Sequence, residues 1–312
     1  MPSASHEPAC SHRPNMTLPA GHGPPMTLLA GSGAIDAHVH VASDDEVRYP
    51  RHPTGMASDW WRRGRYQAED VRGTLMEAGV AQMVIVQAAG VYGEDNQYVV
   101  DMAGQHPESV RAVVVVDPGA PGASATITEL ASLRGVAGVR CMAVRPGATW
   151  VGTTRTDEAF ESAAEAGLTV VLTVFGADLP LLRPTMERFP DVRVVLDHCA
   201  FPSMDGLTIG PNAPLRALAD MPQVTVKITS HNLAPLAETG GGRPFVEQLV
   251  GWFGTPRMLW GSDYPQTFHD TYPGLVGLAV EAFADLAPHE VAAVLGDNTR
   301  QLFGFTAEAN RP

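Results

Sequence analysis

Two histidines one residue apart, His38 and His40 in the run AIDAHVHV (Ala34–Val41), have a type and spacing that could do chemistry. In a β-strand, residues i and i+2 point to the same side, so the two imidazoles converge. Their flanks Ala34, Ile35, Val39 and Val41 are apolar, which suits a buried strand better than a solvated one. Paired buried imidazoles need an occupant, and a divalent metal or an anionic substrate is the usual choice.

The elements that must position such a pair recur along the chain. Apolar, β-branched runs are Ala34–Val41, Val80–Gln87, Val110–Asp117, Val136–Met142, Leu168–Phe175, Val192–Cys199, Val224–Ser230 and Met258–Asp263. Near-continuous apolar strands are expected where a parallel sheet is covered on both faces. Between them lie helix candidates with stops. Gln67–Ala78 precedes Gly79, and Asp157–Ala166 has Thr156 as N-cap and Gly167 as stop. Asp178–Phe189 runs up to Pro190, and Arg243–Phe253 precedes Gly254. Eight such strands predict an α/β chain folded as a distorted (β/α)8 TIM barrel over residues 34–312. A doubly wound sheet would want a phosphate-binding Gly-rich turn after the first strand, and none is there.

Residues 1–33 are rich in Pro, Gly and Ser, with scattered His6, His12 and His22 in no metal-ligand spacing. They read as a disordered tail. The loop Ala42–Tyr66 carries Tyr49, Trp60, Trp61 and Tyr66, and long barrel loops of this kind are lids or substrate walls.

Barrel enzymes work at the C-terminal ends of their strands. Those ends read His38 and His40, Gln87, Asp117, Arg140, Thr173, His198, the Ser230/His231 pair and Asp263. Three imidazoles and a carboxylate on strands 1, 6 and 8 form a concentrated polar set. Arg140 can grip a substrate carboxylate with its planar fork, or it can form a salt bridge inside the barrel with Asp117 or Glu94. Lys227 lies in a buried run and must be paired. Tyr92, His231 and His269 are wall candidates, and Arg145 is either a neighbour of Arg140 or a solvated loop charge. Cys141 and Cys199 are read as core.

A net charge of −13 argues against nucleic acid or an anionic membrane as partner, yet it leaves room for a small anionic substrate held by local arginines. No apolar run approaches the ~20 residues of a membrane span. Three cysteines without motif spacing suit a reducing cytoplasm. A homo-oligomer is left open.

The motifs IDAHVHV, VVLDHCAFP, MLWGSDYPQT and LGDNTRQLFG together resemble the amidohydrolase superfamily, in its amidohydrolase-related branch, over about residues 34–305. Within it, VQAAGVYGEDN, GVRCMAVR, GLTVVLTVFGADLPLL and VKITSHN are similar to the lactonase group that includes 2-pyrone-4,6-dicarboxylate lactonase and sulfomuconolactone hydrolase. The resemblance implies that His38, His40, His198 and Asp263 form the active-site set. It also implies that Arg140 binds a substrate carboxylate and that Tyr66 reaches the site from the first loop. Thr173 stands where most metal-dependent relatives place a ligating histidine. Ala88–Ala89 and His231–Asn232 replace a serine and an arginine of the dicarboxylate lactonase, which points away from a pyrone dicarboxylate as substrate.

The expected reaction is opening of a carboxylate-bearing lactone, with Asp263 as the base that activates water. Two electrophiles fit. Either Zn2+ (or another divalent metal) sits on His38, His40, Asp263 and His198, or the imidazoles donate hydrogen bonds to the oxyanion without a metal. The metal reading is preferred. The rival functions are a cyclic amide or imide hydrolase, a non-oxidative decarboxylase, and a silent barrel that only binds.

Overall fold

The computed structural model describes residues 29, 33–54, 59–144, 148–266 and 271–306. The expected tail lies outside the described residues apart from Leu29 and Gly33, and so do Arg145 and His269.

Eight strands form one parallel sheet in chain order. They are β1 (Ile35–Val39), β2 (Gln82–Val86), β3 (Val110–Val115), β4 (Val136–Met142), β5 (Thr169–Thr173), β6 (Val194–Leu196), β7 (Val224–Ile228) and β8 (Met258–Trp260). Most of their residues are buried on both faces, as their apolar sequences require. Helices fill the connections, among them Ala68–Glu77, Thr154–Glu165, Leu179–Arg188 and Gly242–Phe253. This is the TIM-barrel architecture expected from the strand rhythm. No helix among the described residues is long and apolar enough to cross a membrane.

The barrel closes at the C-terminal ends of its first and last strands. The Asp263 amide donates to the His38 carbonyl at 2.8 Å, and the His40 amide donates to the Tyr264 carbonyl at 2.7 Å. At the opposite end Phe303 and Phe305, from the C-terminal segment, pack with Ile35, Val84, Val113, Val195 and Leu259 as a plug. The interior is therefore apolar below and polar above.

Three sequence expectations shift. The helix expected at Asp157–Ala166 starts at Thr154, and Thr153 rather than Thr156 caps it, accepting the Arg155 amide. Thr156 is buried and donates its hydroxyl to the Trp150 carbonyl instead. β6 stops at Leu196 and β8 at Trp260, short of the expected Cys199 and Asp263. The reason is the same in both. His198, Cys199, Ala200 and Phe201 have φ of 53°, 53°, 57° and 47°, and Asp263 has 61°. That left-handed backbone costs a non-glycine residue roughly 1–2 kcal/mol, and such strain clusters at functional sites.

Candidate active site

His38 and His40 converge as their spacing predicts, with Nε2 atoms 3.3 Å apart. The register of β1 against β2 shifts between Asp36 and Val39, so an irregularity helps turn both rings inward. Asp36 braces this end of β1: it accepts the amides of His38 and Ser262 and the Tyr272 hydroxyl. Burial pushes its carboxyl up to about 6.

His40 Nδ1 lies 2.8 Å from the Val86 carbonyl oxygen, which can only accept. The proton is thus on Nδ1, and Nε2 presents a lone pair. Asp263 Oδ1 lies 3.2 Å from that Nε2 and 3.4 Å from His38 Nε2. On its other side, Oδ2 is 3.1 Å from His231 Nε2. Both oxygens are buried, and neither accepts a well-formed hydrogen bond from a described residue. Burial would push this carboxyl up, but the imidazoles of His231, His40, His38 and His198 around it hold it well below the usual range. Burial also pushes His38 down to about 3 and His198 well below its ordinary value.

The donor set suits a cation. Atoms bound to one tetrahedral zinc at about 2.0–2.1 Å lie roughly 3.3–3.4 Å from one another, and His38, His40 and Asp263 show separations of 3.3, 3.4 and 3.2 Å. The orphaned carboxylate oxygen between two imidazoles is the kind of buried group a metal satisfies. The expected four-ligand set does not close on one point, however. His198 groups with His38 and Asp197, or with His231 and Asp263, but not with His40. It sits in the turn just past β6, its Nδ1 is 2.7 Å from Thr229 Oγ1, and Asn232 donates to its carbonyl.

A charged layer that sequence reasoning missed lies directly beneath. Asp197 is fully buried, with Oδ1 2.8 Å from Lys227 Nζ and Oδ2 2.9 Å from Arg140 Nε and 2.8 Å from Thr173 Oγ1. Lys227 is paired, as its buried strand demands. Arg140 pairs with Asp197, which faces into the barrel across from it, and not with Asp117 or Glu94, the partners of the alternative salt-bridge reading. The bonds of Arg140 to other described side chains are made by Nε. Thr173 spends its hydroxyl on this layer and adds no ligand. The signal for Asp197 was a buried lysine in search of an acid, with VVLDH supplying one at a strand end.

Aromatic rings make the walls. Trp60 stacks 6.3 Å from the His40 ring, Tyr66 meets Trp60 at 5.6 Å, and Tyr264 meets Tyr66 at 6.0 Å. Tyr66 is thus one ring removed from His40. Across the site, Phe201 packs 4.9 Å from His198 and 5.8 Å from His231. Tyr92 is buried, and its hydroxyl accepts the Ser43 amide at 2.7 Å, so it supports the first loop.

A family model described as amidohydrolase matches residues 35–305. The chain belongs to that family. An L-fucono-1,5-lactonase from Burkholderia ambifaria is 28% identical to it over 238 residues, 74% of this chain and 80% of the relative. A solved structure from Pseudomonas putida, assigned as a 2-pyrone-4,6-dicarboxylic acid hydrolase, is 28% identical with a TM-score of 0.70, covering 88% of this chain and 99% of its own. A Burkholderia multivorans amidohydrolase solved with bound zinc has a TM-score of 0.68 over 88% of this chain and 99% of its own. At 19% identity that last likeness concerns the fold alone.

Proposed function

We propose that this enzyme opens the ring of a carboxylate-bearing lactone by attack of water on the ring carbonyl, with Asp263 as the base. The observation that carries the reading is the buried carboxyl of Asp263, which lies within 3.1–3.4 Å of the imidazoles of His231, His40 and His38 and accepts no well-formed hydrogen bond from a described residue. The lactonase relative from B. ambifaria and the pyrone hydrolase assignment from P. putida support the choice of a cyclic ester.

Oδ2 of Asp263 takes a proton from the attacking water. The water oxygen bonds to the carbonyl carbon, the ring C–O bond breaks, and Asp263 returns the proton to the departing ring oxygen. The product is an open hydroxy acid. His231 and His198 orient the water and carbonyl, while the terminal nitrogens of Arg140 grip the substrate carboxylate. Trp60, Tyr66 and Phe201 exclude bulk water. His38, His40 and Asp263 would hold a divalent metal, Zn2+ by preference, which when bound supplies carbonyl polarisation and a more acidic water. The described cysteines, Cys141 and Cys199, are free and buried, which supports a cytoplasmic setting.

The test is a screen of lactones with and without a carboxylate, cyclic imides and aromatic acids, read by acid release and by carbon dioxide. Acid release from a carboxylate-bearing lactone is the expected result. Carbon dioxide from an aromatic acid, with no lactone turnover, would replace hydrolysis by decarboxylation.

A further inference from the structure

Three hydrogen bonds in series cross the site. Lys227 Nζ lies 3.4 Å from His38 Nδ1, His38 Nε2 lies 3.3 Å from His40 Nε2, and His40 Nδ1 lies 2.8 Å from the Val86 carbonyl oxygen. The two ends fix the direction of the series. Lys227, in its 2.8 Å ion pair with Asp197, is an ammonium with protons to give and no lone pair. The Val86 oxygen has only lone pairs. A neutral imidazole carries one proton, so His40 donates from Nδ1 and accepts at Nε2. With Lys227 donating to Nδ1 in preference to Asp197 Oδ1 accepting from it, both 3.4 Å away, His38 donates from Nε2 and accepts at Nδ1.

We infer that Lys227 is a positioning residue that holds His38 in its Nε2–H tautomer, and thereby sets how readily the His38–His40–Asp263 cluster takes up a metal. As long as Lys227 donates to Nδ1, the pocket-facing nitrogen of His38 carries a proton. In that form His38 is a hydrogen-bond donor to the pocket centre, poised for an oxyanion. A metal at Nε2 requires that proton to move to Nδ1, where the acceptor in reach is Asp197 Oδ1, 3.4 Å away. Lys227 occupies the same oxygen at 2.8 Å and meets the relocated N–H with its own. Asp197 therefore favours the ligand form and Lys227 opposes it, both through the ring of His38. This deepens the proposed mechanism, because it decides which of two electrophiles His38 serves.

The first measurement uses the full-length wild-type chain, stripped of metal. Nitrogen-15 spectra of its histidines, with His38 assigned by loss of its signals in His38→Gln, are expected to show a protonated Nε2 and an unprotonated Nδ1. The opposite tautomer would overturn the inference. The second is zinc affinity, read by competition with a chromophoric chelator. Lys227→Met is expected to bind zinc about tenfold more tightly than wild type, the low end of what such supporting contacts are worth. Unchanged or weaker binding by a folded Lys227→Met would also overturn it. If that variant fails to fold, the wild-type spectrum decides alone. The outcome is separable from that of the substrate screen. A chain that opens no lactone yet shows the Nε2–H tautomer loses the proposed function and keeps this one.

Discussion

Asp263 gives its backbone amide to the carbonyl of His38 across the closing seam of the barrel, at 2.8 Å. The side chains of the same two residues face each other at 3.4 Å. Their separation is thus inherited from strand pairing and not left to a mobile loop, which is how a site keeps sub-ångström tolerance.

Gly261 makes that seam possible. A Cβ there would sit 2.6 Å from His38 Cβ and 2.8 Å from the His38 nitrogen, so β1 and β8 would have to part. Gly261→Ala is expected to lose about 1–3 kcal/mol of stability from overpacking and on the order of a hundredfold in kcat from displacement of the reacting groups. Urea unfolding and steady-state kinetics on the same preparation test this. Full turnover at wild-type stability would mean that the strand contact does not set the site.

The base assignment makes a different demand. Among the described residues, none gives either oxygen of Asp263 a well-formed hydrogen bond, so Asp263→Asn keeps the shape of the side chain and removes the charge. An amide cannot take the proton from water. Loss of about 10²–10⁴-fold in kcat is expected, with KM changed far less and the unfolding midpoint retained. Near-normal turnover would reassign the base.

The barrel itself is legible in the sequence because buried parallel strands must be apolar throughout, and β4 (Val136–Met142) has the bounds its run predicts. His38 and His40 are legible because strand alternation turns spacing into direction. The left-handed turn at His198–Phe201 is not: Asp, His, Cys, Ala and Phe carry no glycine to announce it. What holds it is tertiary, from Thr229 just past the next strand and Asn232 in the helix it caps. Asp197 escaped for the same reason. Its role depends on Lys227, Arg140 and His38, which are distant in sequence and adjacent only once the barrel closes.

Arg140 meets the buried layer beneath the site through Nε, which serves Asp197 and Thr173. Lysine keeps the charge and loses the fork. Arg140→Lys is expected to raise KM roughly 10–100-fold for a lactone bearing a carboxylate, the worth of a charge-assisted hydrogen bond. KM for the uncharged analogue should barely move. An equal rise for both substrates would make Arg140 purely structural.

Stability of the metal-free protein should fall as the pH drops below neutrality, and His38 gives the sign. Burial holds its folded pKa at about 3, against 6.5 as the ordinary value. Below 6.5 the unfolded chain binds a proton that the folded chain refuses, so this contribution is whole above 6.5 and is lost as the pH falls toward 3. Each pH unit in that interval costs about 1.4 kcal/mol per such group. His198, also held low, acts in the same sense. Asp36 acts in the opposite one. With its carboxyl raised to about 6, the folded chain takes up a proton below that pH that the unfolded chain leaves until near 3.8. The histidines therefore act unopposed only between about 6.5 and 6, and Asp36 offsets one of them below. Urea unfolding in the presence of a chelator, from about pH 7.5 to 5, should give a slope that is shallower by one proton in His38→Gln. A variant slope equal to that of wild type would show that His38 is protonated in the folded chain after all.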